Sequence, residues 1–183
     1  SYTCRLTSAL NASCWGDNPW GQLGDGTRIA HFTPQPVSGS GGFVQVAGGG
    51  RHTCGLAANG AASCWGLDWT GSLGDGVGNG PPTTVPGAVV GGHLFVKLAL
   101  CFEHSCGLTA AGALYCWGDN QQGELGLGTF GLTNHPTPVV VSGSLVFVDL
   151  AAGAWRTCGI TDAADLLCWG GGGPTLLLVP TLV

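Results

Sequence analysis

Short runs of alternating apolar and polar residues recur along the chain. Phe43-Val44-Gln45-Val46-Ala47 returns as Phe95-Val96-Lys97-Leu98-Ala99 and as Phe147-Val148-Asp149-Leu150-Ala151, 52 residues apart each time. Period-two alternation rich in β-branched residues predicts half-buried strands. A second predicted strand starts at a cysteine, as in Cys54-Gly55-Leu56-Ala57, and a third ends on Cys-Trp, as in Ser63-Cys64-Trp65 or Leu114-Tyr115-Cys116-Trp117. A weaker fourth follows a glycine-rich loop near Pro34-Gln35-Pro36-Val37 and Pro138-Val139-Val140-Val141. Its prolines suit an outer edge, where a missing N–H breaks no ladder. No segment combines helical periodicity with a capping box.

The strands belong to a repeat. Cys-Trp-Gly occurs at 14–16, 64–66, 116–118 and 168–170, spaced by 50, 52 and 52 residues. Gly21-Gln22-Leu23-Gly24-Asp25-Gly26 returns as Gly71-Ser72-Leu73-Gly74-Asp75-Gly76 and, loosely, as Gly123-Glu124-Leu125-Gly126-Leu127-Gly128. About fifty residues holding four strands is the size of a propeller blade. The expected fold is an all-β, propeller-type repeat array of about four four-stranded blades of ~52 residues. It forms one array over 1–183, with units near 1–42 (a partial first blade), 43–94, 95–146 and 147–183. The chain opens at the second strand of a unit and is read as a processed or partial chain, a partial propeller.

Ten residues before each Cys-Trp stands another cysteine: Cys4, Cys54, Cys106 and Cys158. If Cys54 faces Cys64, the hairpin has the three-residue loop Ala58-Asn59-Gly60. Such loops favour a left-handed third residue, usually glycine, and Gly60 and Gly112 occupy that place. Leu10 and Ala164 stand there in the first and last copies, so those turns are expected to differ. Each pair then falls at a non-hydrogen-bonded site within disulfide reach. The expected bridges are Cys4–Cys14, Cys54–Cys64, Cys106–Cys116 and Cys158–Cys168. Zinc is the rival, but one pair per unit without a nearby CxxC lacks four clustered ligands. Disulfides imply an oxidising compartment, hence a secreted or cell-surface location. Cys101 has no counterpart and is either a buried thiol or an intermolecular bridge.

Composition sharpens this reading. Glycine supplies 35 of 183 residues without a three-residue period, which excludes collagen and fits many turns. Charged residues make up 8%, far below the usual quarter, while apolar residues reach 44%, too many for a disordered chain. A net charge of −5 with five bases argues against nucleic-acid binding through phosphate contacts. No apolar stretch, Leu176 to Val179 included, approaches the roughly 18 residues of a membrane span. Glycans or burial in an assembly would explain how so uncharged a surface stays in solution. The sequon Asn11-Ala12-Ser13 offers one acceptor, Asn11.

With these motifs in view the chain resembles the regulator of chromosome condensation repeat family. The resemblance rests on Val46-Ala47-Gly48-Gly49-Gly50-Arg51-His52-Thr53-Cys54-Gly55-Leu56, then Trp65-Gly66 and Gly71-Ser72-Leu73-Gly74. It is repeated in His104-Ser105-Cys106-Gly107-Leu108, Tyr115-Cys116-Trp117-Gly118-Asp119-Asn120 and Gly123-Glu124-Leu125-Gly126. Paired cysteines are similar to those of the family's secreted branch. The resemblance implies a propeller, commonly of seven blades, of which this chain would supply about half. Further blades, further copies or another chain are then expected to complete the array.

Candidate chemistry is sparse. Asp17, Asp25, Asp68, Asp75, Asp119 and Glu124 follow Trp-Gly and could suggest calcium ligation or glycoside hydrolysis. Their repetition favours turn-making, because a catalytic pair is unique. His52 and His104 recur with Thr53 and Ser105, which favours structural hydrogen bonds over a nucleophile–histidine–acid set. The glycine runs Gly48-Gly49-Gly50 and Gly170 to Gly173 read as strand-end loops. Trp15, Trp65, Trp117 and Trp169 are expected between blades. Trp20, Trp69 and Trp155 are off that register and are the interface candidates.

The expected function is a non-enzymatic, extracellular module for protein–protein interaction or assembly into a surface or filamentous structure, with no cofactor or metal. An inhibitor- or receptor-like propeller is the alternative. A carbohydrate-active enzyme or a nucleotide-exchange factor fits less well.

Overall fold

In the computed structural model, which describes residues 1–171 and 177–183, the chain is all-β, without helix among the described residues. Gly172, Gly173 and Leu176 lie outside them. The first sheet contains β1 (Tyr2–Leu6), β2 (Asn11–Gly16) and β3 (His31–Gly41). The second contains β4 (Phe43–Gly48), β5 (His52–Ala57), β6 (Ala62–Asp68) and β7 (Gly80–Ala88). The third is β8 (Phe95–Leu100), β9 (His104–Thr109), β10 (Leu114–Gly118) and β11 (His135–Val140). The fourth is β12 (Phe147–Gly153), β13 (Arg156–Thr161), β14 (Leu166–Gly170) and β15 (Leu177–Leu182). Each sheet is an antiparallel meander in chain order, one blade of an open propeller. The proline-bearing strands β3, β7, β11 and β15 form one edge of each.

The central hairpins share one register. Cys4 lies opposite Cys14, Cys54 opposite Cys64, Cys106 opposite Cys116, and Cys158 opposite Cys168. Each pair has Cα atoms 4.1 Å apart and is joined as a disulfide. The turns correct one expectation, because the first and last do not differ from the middle two. Leu10 (φ 57°) and Ala164 (φ 66°) adopt the left-handed conformation of Gly60 and Gly112. Their N–H groups donate to Thr7 and Thr161, as Gly60 and Gly112 donate to Ala57 and Thr109. Two cross-strand ladders closing on one register override the local preference at two residues.

Cores form between blades, each centred on one tryptophan. Trp65 packs with Phe43, Leu23, Val37 and Cys14. Trp117 packs with Phe95, Leu56, Leu73 and the Cys54–Cys64 pair. Trp169 packs with Phe147, Leu108, Leu125 and the Cys106–Cys116 pair. Trp15, in the first blade, is only half-buried, because no preceding sheet covers it among the described residues. The second glycine of Gly-x-Leu-Gly receives the next blade's indole. A Cβ added at Gly24 would lie 2.5 Å from Trp65 Nε1, and at Gly74 or Gly126 2.7 Å from Trp117 or Trp169. Only a residue without a side chain allows that approach.

Candidate functional site: the loop end of the blades

A polar latch joins neighbouring blades beside each tryptophan. His52 Nε2 lies 2.8 Å from Ser105 Oγ, which donates to Ser72 O; Trp117 Nε1 donates to the same carbonyl. Because the serine proton goes to Ser72, the histidine carries its proton on Nε2. His104 repeats the arrangement with Thr157 Oγ1, which donates to Glu124 O. In the first interface Thr53 Oγ1 is 2.8 Å from both Tyr2 Oη and Gln22 O, and Trp65 Nε1 donates to Gln22 O. Burial pushes His52 down to about 3, with a further contribution from the charge of His104, and pushes His104 down to about 4. Both are neutral hydrogen-bonding groups at neutral pH, and neither faces an acid–nucleophile pair.

Three of the loop acids make turns. Asp25, Asp75 and Asp119 accept from the N–H two residues onward, at Thr27, Val77 and Gln121. Asn18, Asp68 and Asn120 occupy one equivalent position, and each side-chain oxygen accepts from the N–H of Leu23, Leu73 or Leu125. The amide nitrogens of Asn18 and Asn120 also donate to backbone carbonyls. Asp68 cannot do this. Its Oδ2 is buried without a hydrogen-bond partner among the described residues, and burial raises its carboxyl to about 6. Among the described residues no group of three or more His, Cys, Asp or Glu could hold a metal ion.

The off-register aromatics converge on this same end, where the β4–β5, β8–β9 and β12–β13 connections meet the long loops after Trp-Gly. Trp20 and Trp69, from different blades, meet edge to face with ring centroids 5.1 Å apart. The Arg51 guanidinium lies 5.7 Å from the Trp69 ring and 5.3 Å from that of Phe102, and donates to Glu103 Oε1 at 3.2 Å. Phe102 continues to Trp155, centroids 5.7 Å apart. Trp69, Phe102 and Trp155 remain 40–46% exposed. Trp20–Trp69–Arg51–Phe102–Trp155 thus forms a partly exposed ladder across four blades.

The model of the "Regulator of chromosome condensation (RCC1) repeat" matches residues 14–56 and 111–160, and a second model of the same repeat matches 95–124. The chain belongs to the RCC1 repeat family. Human RCC1 domain-containing protein 1 is 33% identical over 85 residues, 46% of this chain and 23% of that protein. The Arabidopsis thaliana ultraviolet-B receptor UVR8 is 30% identical over 176 residues, 94% of this chain and 40% of that protein. The chain therefore spans less than half the length of these relatives. Yeast RCC1 (Prp20), solved bound to Kap60, shares the fold with a TM-score of 0.87 at 22% identity, covering 100% of this chain and 46% of that one. The ectodomain of the Arabidopsis receptor kinase ACR4 gives a TM-score of 0.63 at 22% identity, covering 94% of this chain and 50% of that one.

Within the RCC1 repeats of this chain, the ladder is built from the places where the copies disagree. The residue before the latch position is Ser1, Arg51, Glu103 or Trp155; one place earlier stand Gly50, Phe102 and Ala154. The tryptophans alone do not suggest Arg51, Phe102 or Glu103 as members. The signal for them is this variation inside an otherwise regular motif. The remaining candidates lie elsewhere. Asn11 is exposed where β2 leaves its hairpin turn, at the opposite end. Cys101 is the one free cysteine among the described residues, half-buried, its thiol pushed up by burial.

Proposed function

We propose that this chain is a non-enzymatic, extracellular protein-interaction module whose docking surface is the loop end of its blades. The observation that carries the reading is the aromatic–arginine ladder. Clustered Trp, Phe and Arg make large, rigid contacts, and these residue types dominate binding hot spots. Relatives support a binding role. Yeast RCC1 (Prp20) is captured with Kap60 and has binding properties toward Gsp1p and histones, and ACR4 carries this fold in its ectodomain. Four disulfides support an oxidising location. A glycan on Asn11 would sit at the turn end, leaving the ladder open. Further blades or copies completing the array are part of the same reading, as in a surface assembly.

The test is quantitative capture of binding proteins from the extracellular fraction by the oxidised, tagged chain. Trp69→Ser with Phe102→Ser should lose the captured partner while keeping the wild-type circular dichroism. Asp162→Asn, at the turn end, should retain it. Equal capture by all three would sink the reading.

A further inference from the structure

The same crevice recurs between each pair of blades at the loop end, and its three copies differ. Between the first and second blades it is an opening of about 380 Å³ lined by Tyr2, Asp17, Trp20, Gln22 and Arg51, among others. Between the second and third it is filled, because Trp69, Arg51 and Phe102 close over it. Between the third and fourth it opens again, to about 410 Å³, lined by Glu103, Asp119, Gln121, Gln122 and Trp155.

This third crevice gathers acidic side chains. Glu124 occupies the position of Gln22, which lines the first crevice, and its Oε2 accepts from the N–H of Gln122, a lining residue. Glu124 is 1% exposed, and its Oε1 has no hydrogen-bond partner among the described residues. Burial raises the carboxyls of Glu103, Asp119 and Glu124. The charge of Asp119 adds to the rise at Glu103 and Glu124, and that of Glu103 adds at Glu124. Arg51 pairs with Glu103 from the neighbouring crevice; among the described residues no base pairs with Asp119 or Glu124. Among the described residues the carboxylates do not form a group that could hold a metal ion. Glu124 is not itself a lining residue; it stands behind Gln122, and a cation seated in the crevice would offset its charge.

The geometry points to a socket for an arginine side chain of a protein partner. This rests on the docking reading above and names the chemistry of one contact within it. A planar guanidinium offers five donors to acids and amide carbonyls, and its face stacks on an indole, here Trp155.

Calorimetric titration of the oxidised full chain with an end-blocked Gly/Ser peptide bearing two arginines tests the socket. Glu124→Gln restores the residue of the first repeat, so the fold is expected to persist, and it should weaken binding about tenfold. Trp155→Ala should do likewise. Asp165→Asn removes one charge at the turn end and should change nothing. Equal weakening by Asp165→Asn would reduce the effect to diffuse attraction and overturn the socket. So would unchanged affinity in Glu124→Gln, or no binding by the wild type. If the peptide fails to bind while Trp69→Ser/Phe102→Ser still loses partner capture, the socket falls and the docking surface stands.

Discussion

At the turn end of the blades four hairpins close with the same pair of hydrogen bonds, whether the left-handed residue is Gly60, Gly112, Leu10 or Ala164. At the loop end, equivalent positions carry Ser1, Arg51, Glu103 and Trp155, and the crevices they line are open, closed and open. The turn end tolerates an unfavourable residue and keeps its geometry; the loop end keeps its scaffold and varies its chemistry. Identity between repeats marks where backbones and cores must coincide, and difference marks where surface chemistry is free to vary.

The largest expected effect separates tryptophans of the two kinds. Trp117→Ala empties the core between the second and third blades and should cost about 3–5 kcal/mol by equilibrium denaturation. Trp69→Ala, on the exposed ladder, should cost well under about 1 kcal/mol. Equal losses would erase the distinction between scaffold and surface. Replacing Cys54 and Cys64 together by serine should cost about 2–3 kcal/mol, as expected of a short closed loop. Denaturation under matched non-reducing conditions measures it.

Acid should distinguish the latches from the loop carboxyls. His52 and His104 have folded values near 3 and 4, below the ordinary 6.5. The unfolded chain therefore binds more protons below pH 6.5, and stability falls as pH drops through that range toward 3. Asp68 acts with the opposite sign. Its carboxyl, raised from 3.8 to about 6, penalises the fold increasingly as pH rises between those values. Asp68→Asn should add about 1–3 kcal/mol above pH 6 and little near pH 4, read from denaturation midpoints across pH. A gain independent of pH would locate its cause elsewhere.

The smallest effect tests the turns. Leu10→Gly and Ala164→Gly should each stabilise by up to about 1 kcal/mol, because glycine removes the left-handed penalty. Gly112→Ala should destabilise by more than that, since its Cβ would also lie 2.5 Å from Val146 Cγ1. Thermal midpoints of the oxidised chains measure both.

Strands and cysteine pairing were legible because they depend on residues close in the chain or fixed in the repeat. Phe43, Phe95 and Phe147 mark three inner strands, and the ten-residue spacing puts each cysteine opposite its partner. The conformation of Leu10 was not legible, because the cross-strand ladders and not the residue decide it. The ladder was legible only as separate tryptophans. Trp20 meets Trp69, and Arg51 meets Phe102, through blade packing, which no periodicity within one repeat records. Glu124 reads as another turn acid in the sequence, because its burial behind Gln122 depends on the packing of two blades.

The shared carbonyl of each latch governs how the array comes apart. Gln22 O and Ser72 O each accept the next blade's indole as well as its hydroxyl, whereas Glu124 O accepts the Thr157 hydroxyl while Trp169 Nε1 has no partner among the described residues. Since each blade is held by its nearest neighbours, stability is a sum over seams, and the seam with fewer bonds opens first. Hydrogen exchange should therefore be faster at this seam, with β13 and β14 exchanging before β5 and β6.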